Sequence, residues 1–170
     1  MSEPKSRPPN PETDMTHDDL ILRAIKWLAG TRKCYLVMDE QGSGATYECP
    51  DAIGWRNGGR VSVMVECKVS VSDFHADKHK MHRKSHNGMG SERWYMTPPG
   101  LLKPEQIPEA WGLVEAGPRC RTIIKATPRY ERDWRGEMAI LISAHVGIAR
   151  NKARVYAPLP NDEPDTWGGD

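Results

Sequence analysis

The segment "PDAIGWRNGGRVSVMVECKV", residues 50–69, limits what this chain can fold into more than any other. Two strand-like runs flank Asn57, Gly58 and Gly59, residues that accept the positive φ of a tight connection, so the segment reads as a β-hairpin. The second run is apolar like buried core, yet it ends in Glu66-Cys67-Lys68. Side chains two apart in a strand share a face, which sets Glu66 and Lys68 together, about 6–7 Å apart along the chain, and turns Val65, Cys67 and Val69 the other way. A strand with a core-like body thus delivers a carboxylate and an ammonium to one place.

Asp51 precedes Glu66 by fifteen residues and can stand opposite or diagonal to it across the hairpin. Pro50 removes a ladder donor, so the strand is expected to bend or fray there and turn Asp51 toward an open edge. Two carboxylates brought that close repel each other unless one takes a proton or a cation sits between them. A hard divalent ion, Mg²⁺ first, meets that need with oxygen ligands. Held by two carboxylates and a carbonyl, such an ion can bind a phosphate and lower the pKa of a coordinated water, while the nearby lysine orients that water or steadies the developing charge. This is the chemistry of phosphodiester hydrolysis. Glu-x-Lys alone also has a plainer reading, a solvated ion pair at a strand end.

The rest of the chain frames the hairpin. At 170 residues it is long enough for one domain with a sizeable core, and Lys plus Arg (24) so nearly balance Asp plus Glu (23) that overall charge points to no partner. Residues 1–16 and 161–170 are Pro-rich or acidic and are expected to be flexible tails around a single domain, 17–160. Cys34, Cys49, Cys67 and Cys120 form no C-x-x-C pair, which favours free thiols in a reducing compartment. No signal-peptide-like region and no run of eighteen apolar residues occurs, so a soluble, cytoplasmic protein that avoids membranes is expected. "THDDLILRAIKWLAG" predicts a helix capped by Thr16, with Leu20, Ile21, Ala24, Ile25 and Leu28 inward. "KCYLVMDE", "TYECPDAIGW" and "RVSVMVECKV" predict three strands, and Ser72 is placed as the cap of a helix over "SDFHADKHKMHRK". "ERWYMT", "AWGLVEA" and "RCRTIIKA" predict further strands, and "ERDWRGEMAILISAHVGIAR" a closing helix with Met138, Ile142 and Val146 inward. The order helix, three strands, helix, strand marks an α/β or α+β fold, a mixed sheet of about four to six strands flanked by helices.

With Pro50-Asp51, then Glu66-Cys67-Lys68 one hairpin later, inside that element order, the chain resembles the PD-(D/E)xK nuclease superfamily. "VECKVSVSDFHADKHK", "RWYMTPPGLL" and "IPEAWGLVEA" are also similar to small phage and bacterial nucleases of the MmcB-type DNA-repair group. The resemblance covers about residues 17–117. It implies a restriction-endonuclease-like core acting on DNA with Mg²⁺ or Mn²⁺, Asp51 and Glu66 as metal ligands, the Cys67 backbone carbonyl as a third, and Lys68 beside the attacking water. A further acidic residue is expected from the first helix or strand: Glu40, with Glu48, Asp18 and Asp19 as alternatives.

The second helix and its exit carry Lys78, Lys80, Arg83 and Lys84, with Arg93 after the Gly-rich loop and Arg56 and Arg60 flanking the hairpin turn. Such a patch would neutralise backbone phosphates irrespective of sequence; a solvated helix face has the same composition. His75, His79, His82 and His86 fall at i, i+4, i+7 and i+11, one stripe if the helix continues, but no further ligand completes a zinc site. Trp94 and Tyr95 are assigned to the core. The rival reading is a nucleic-acid-binding module of the same fold that acts through a protein partner; any homo-oligomer or partner is unspecified by the sequence.

Overall fold

In the computed structural model, which describes residues 15–39, 48–78, 88–149 and 155–156, the chain begins with Thr16 capping α1 (His17–Gly30). The Thr16 hydroxyl accepts the Asp19 backbone N–H at 3.2 Å, and the Asp19 carboxylate accepts the Thr16 N–H at 3.0 Å, which satisfies two helix-end donors reciprocally. Leu20, Ile21, Ala24, Ile25 and Leu28 are all buried, as their spacing predicts, and Trp27 joins them. Met15 packs against the same core, so the order of the chain starts inside the segment expected to be a tail.

The sheet runs β6-β5-β4-β3-β2-β1-β7, with β1 Leu36–Asp39, β2 Ala52–Arg56, β3 Val61–Cys67, β4 Glu92–Thr97, β5 Trp111–Ala116, β6 Cys120–Ile124 and β7 Val155–Tyr156. Six strands form the sheet proper, and the two-residue β7 widens it past the expected range. β3, β4 and β5 are parallel neighbours; the other pairs are antiparallel. The hairpin forms as read, with positive φ at Asn57, Gly58 and Gly59 in its turn.

Alternation splits the strands between two cores. Val63, Val65, Cys67, Trp94, Met96 and Val114 face α1, whereas Met64, Tyr95, Trp111 and Leu113 face α2 (Val71–Lys78) and α3 (Trp134–Ala149), which add Phe74, Ile140 and Ala144. Each such aliphatic or aromatic side chain contributes about 1.5–3 kcal/mol by leaving water. Tyr95 stacks on Trp111 at 4.4 Å between ring centres and meets Phe74 edge-on at 5.1 Å. Gly112 lies against the Trp94 indole so closely that even a methyl group would collide with it.

Three sequence expectations are corrected. Met138, Ile142 and Val146 face outward, Ile142 with 59% of its surface exposed, and the inward face of α3 is Ile140 and Ala144. α2 is capped by Ser70, whose hydroxyl accepts the Asp73 N–H at 3.1 Å, because the helix starts at Val71, before the expected Ser72. β2 starts only at Ala52, since Pro50 holds the preceding residues out of the ladder. Among the described residues no helix is long and apolar enough to cross a membrane. Cys34, Cys49, Cys67 and Cys120 carry thiols, in no disulfide with one another.

Candidate active site

β2 and β3 pair with Ala52 opposite Val65, so one step outward the register sets Asp51 opposite Glu66. Pro50 and the bend at Asp51 end the backbone ladder there, and the side chain takes its place: Asp51 Oδ2 accepts the Cys67 N–H at 2.7 Å. An extended residue turns its N–H and C=O toward the same neighbour, which puts the Cys67 carbonyl on the Asp51 side as well. Asp51 also meets His17, the first residue of α1, at 3.4 Å.

Glu66 and Lys68 share the α2 face at the end of β3 and are 2% and 5% exposed. The Lys68 ammonium lies 3.6 Å from Glu66 and 3.8 Å from Asp73, which stands on the first turn of α2. The pair is therefore a buried ion pair with a half-exposed second carboxylate at its outer side, and the plain solvated pair allowed by the tripeptide alone is ruled out by this burial. Asp39, also buried, ends β1 one register step from Asp51, opposite Ala52. The ends of β1, β3, β4 and β5 and the start of β2 all lie at this edge of the sheet.

The donor set suits a hard cation: two carboxylates in facing register and a backbone oxygen on the same side. Among the described residues no three His, Cys, Asp or Glu side chains gather as a metal-holding group, so any ion here would rely on two side chains, backbone and solvent. His17, Asp73 and Asp39 were not singled out as site residues in the sequence. His17 and Asp73 sit in the first turns of helices, and only the packing of those helices brings them to the strand end.

The other expected site residues divide. Glu40, Lys80, Arg83 and Lys84, and with them His79, His82 and His86, lie outside the described residues, and Lys78 is described only as the end of the α2 backbone. Glu48, an alternative acid, instead accepts the Met89 N–H at 2.7 Å and pairs with Arg93. Asp19 closes the α1 cap, where its hydrogen bonds from Thr16 hold its pKa below the ordinary value. Asp18 stands beside it on the first turn of α1.

The described arginines of the expected patch, Arg56, Arg60 and Arg93, do not border this site. Arg93 is buried between Glu48 and the Trp111 ring, 4.3 Å from its centre, and has no surface to offer a phosphate. Arg56 lies at the far end of β2, about 17 Å from Asp51 at the rise of an extended strand, and bonds Glu92 at 2.7 Å. Arg60 closes the same remote turn. There Arg32 joins Arg56 on the Glu92 carboxylate, and Glu137 accepts from Ser62 at 2.7 Å, Gly90 N–H at 3.0 Å and Trp55 at 3.2 Å, a network at the turn end of the sheet.

No protein-family model matches the chain, and no curated protein matches it. Among solved structures it is similar to a protein of unknown function from Silicibacter pomeroyi, at 18% identity and a TM-score of 0.59, over 81% of this chain and 90% of that one. At that identity the likeness shows a shared fold.

Proposed function

We propose that this chain is a metal-dependent nuclease that hydrolyses DNA phosphodiester bonds, built on a restriction-endonuclease-like core of the PD-(D/E)xK type. The observation that carries the reading is the β2–β3 register, with Asp51 opposite Glu66 and a buried lysine two residues on. The order α1, three strands, α2, strand supports the same core. A bound Mg²⁺ or Mn²⁺ would supply Lewis acidity toward the phosphate and acidify its water ligands. Asp51, Glu66 and the Cys67 carbonyl are the oxygen donors to hold it. Lys68, kept in place by Glu66 and Asp73, presents an ammonium where charge develops on the phosphate oxygens. A water oxygen forms the new bond to phosphorus, the bond to the leaving oxygen breaks, and that oxygen takes up a proton. DNA is the substrate that the resemblance to DNA-repair nucleases supports.

One observation favours a second reading, a DNA-binding protein of this fold that does not cut: the Lys68 ammonium already lies near both Glu66 and Asp73, where it offsets part of the negative charge a cation would otherwise meet. Incubating the purified protein with single-stranded, duplex and branched DNA in Mg²⁺, Mn²⁺ or EDTA separates the two. Cleavage that EDTA stops and Asp51→Asn abolishes is the expected result. Retention of DNA without cleavage under every condition would sink the nuclease reading and leave the binding one.

A further inference from the structure

Thr97 ends β4 beside Lys68. Cys67 pairs with Met96, and the Lys68 N–H donates to the Met96 carbonyl at 2.9 Å, so the parallel register carries on to set Lys68 against Thr97. Met96 faces α1 and Tyr95 the opposite core, hence Thr97 returns to the face of Tyr95, Glu66 and Lys68. Its side chain is 0% exposed, and its Oγ1 is buried with no hydrogen-bond partner among the described residues. Glu115, opposite Thr97 in β5, directs its oxygens to the Gly100 N–H and to Arg121, each at 2.8 Å. A hydroxyl buried in this way is costly, and valine would fill the same β-branched shape without that cost, so packing gives no reason for a threonine here.

We propose that Thr97 Oγ1 is a water-binding position of the site, holding the attacking water between its hydroxyl and the Lys68 ammonium; this rests on the nuclease reading above. Lysine can only donate and threonine can accept, so the water accepts from Lys68 and donates to Thr97. One lone pair of the water oxygen stays directed at the phosphate. That oxygen bonds to phosphorus, the bond to the leaving oxygen breaks, and the proton the water gives up reaches the leaving oxygen through solvent. Thr97 thereby acts as a positioning residue.

The test compares Thr97→Val and Thr97→Ser with the parent. Thr97→Val should melt at or above the parent temperature, while kcat for Mg²⁺-dependent cleavage falls on the order of tenfold to a hundredfold with KM unchanged. Thr97→Ser should restore most of it. A second readout needs no cleavage: a crystal structure of the parent should hold an ordered water within hydrogen-bond reach of both Thr97 Oγ1 and Lys68 Nζ, which Thr97→Val lacks and Thr97→Ser regains. No such water in the parent, a Thr97→Val that melts far below the parent, or, in a parent that cuts, equal kcat in parent and Thr97→Val overturns the proposal. A parent that cuts nothing but holds that water, lost in Thr97→Val, upholds the bound water and removes only the nuclease reading.

Discussion

Burial of Lys68 and Glu66 changes what removing either one does. Truncating one member of a buried pair leaves the other charge uncompensated, so Lys68→Ala is expected to cost about 3–5 kcal/mol of stability in addition to activity. Glu66→Gln combined with Lys68→Met, which removes both charges and keeps the volume, should cost much less in a urea titration while cleavage still falls by about a hundredfold or more. If the single and double variants unfold at the same urea concentration, the pair is not buried as described. Asp51, Glu66 and Lys68 were legible in the sequence because their convergence depends only on strand alternation and one tight turn. His17 and Thr97 were not, because each reaches the site through packing between elements distant in the chain, and Asp73, though it follows closely on Lys68, was not because its place depends on how α2 packs against the strand end. Cys34 shows the same dependence on packing. Burial pushes its thiol up to about 11 from 9.0. A raised thiol pKa contributes stability that is complete below pH 9 and is lost as pH rises toward 11. The parent should therefore lose about 2–3 kcal/mol across that window, by the linkage of two pKa units, and Cys34→Ala should lose correspondingly less in pH-dependent denaturation.

The helix α3 shows where periodicity fails at the scale of an element. Met138, Ile142 and Val146 repeat every four residues, and so do Ile140 and Ala144, so the sequence offers two apolar stripes and no local rule to choose between them. The choice is made by Glu137, which turns inward to meet Ser62, Gly90 and Trp55 and rotates Ile140 and Ala144 onto the sheet. Accordingly, Ile140→Ala should cost about 2–5 kcal/mol, and Ile142→Lys should stay within about 0.5 kcal/mol of the parent. Equal losses in the two would mean that the outer stripe is covered. α1 raised no such ambiguity, since its cap and its single apolar stripe agree.

Across the whole molecule, the order of elements was readable because each strand and helix carries its own period, whereas the width of the sheet was not. β6 is partly exposed and β7 only two residues long, so neither edge has a strong pattern of its own. The distribution of charge was also misjudged, because a turn adjacent in sequence to Asp51 lies at the other end of the strand. If DNA lies over the motif end, replacing Lys80, Arg83 and Lys84 by alanine should lower the slope of log affinity against log salt by about 0.9 for each duplex phosphate that is no longer neutralised. Arg60→Ala should leave the slope unchanged, and a fall equal to that of the triple variant would move the binding surface to the turn.

The Glu92 and Glu137 networks fasten the sheet at the hairpin turn, and the carboxylate and lysine chemistry stands at the opposite edge. Enzymes commonly exchange robustness for turnover because the strained groups that react also sit in the structure that must hold. If the motif edge is the nuclease site proposed above, the two demands fall here on residues a strand's length apart. A laboratory selection for heat resistance should then accumulate its changes around Arg56, Arg60 and Arg132 with little loss of turnover, leaving the motif edge free to diversify in what it cuts.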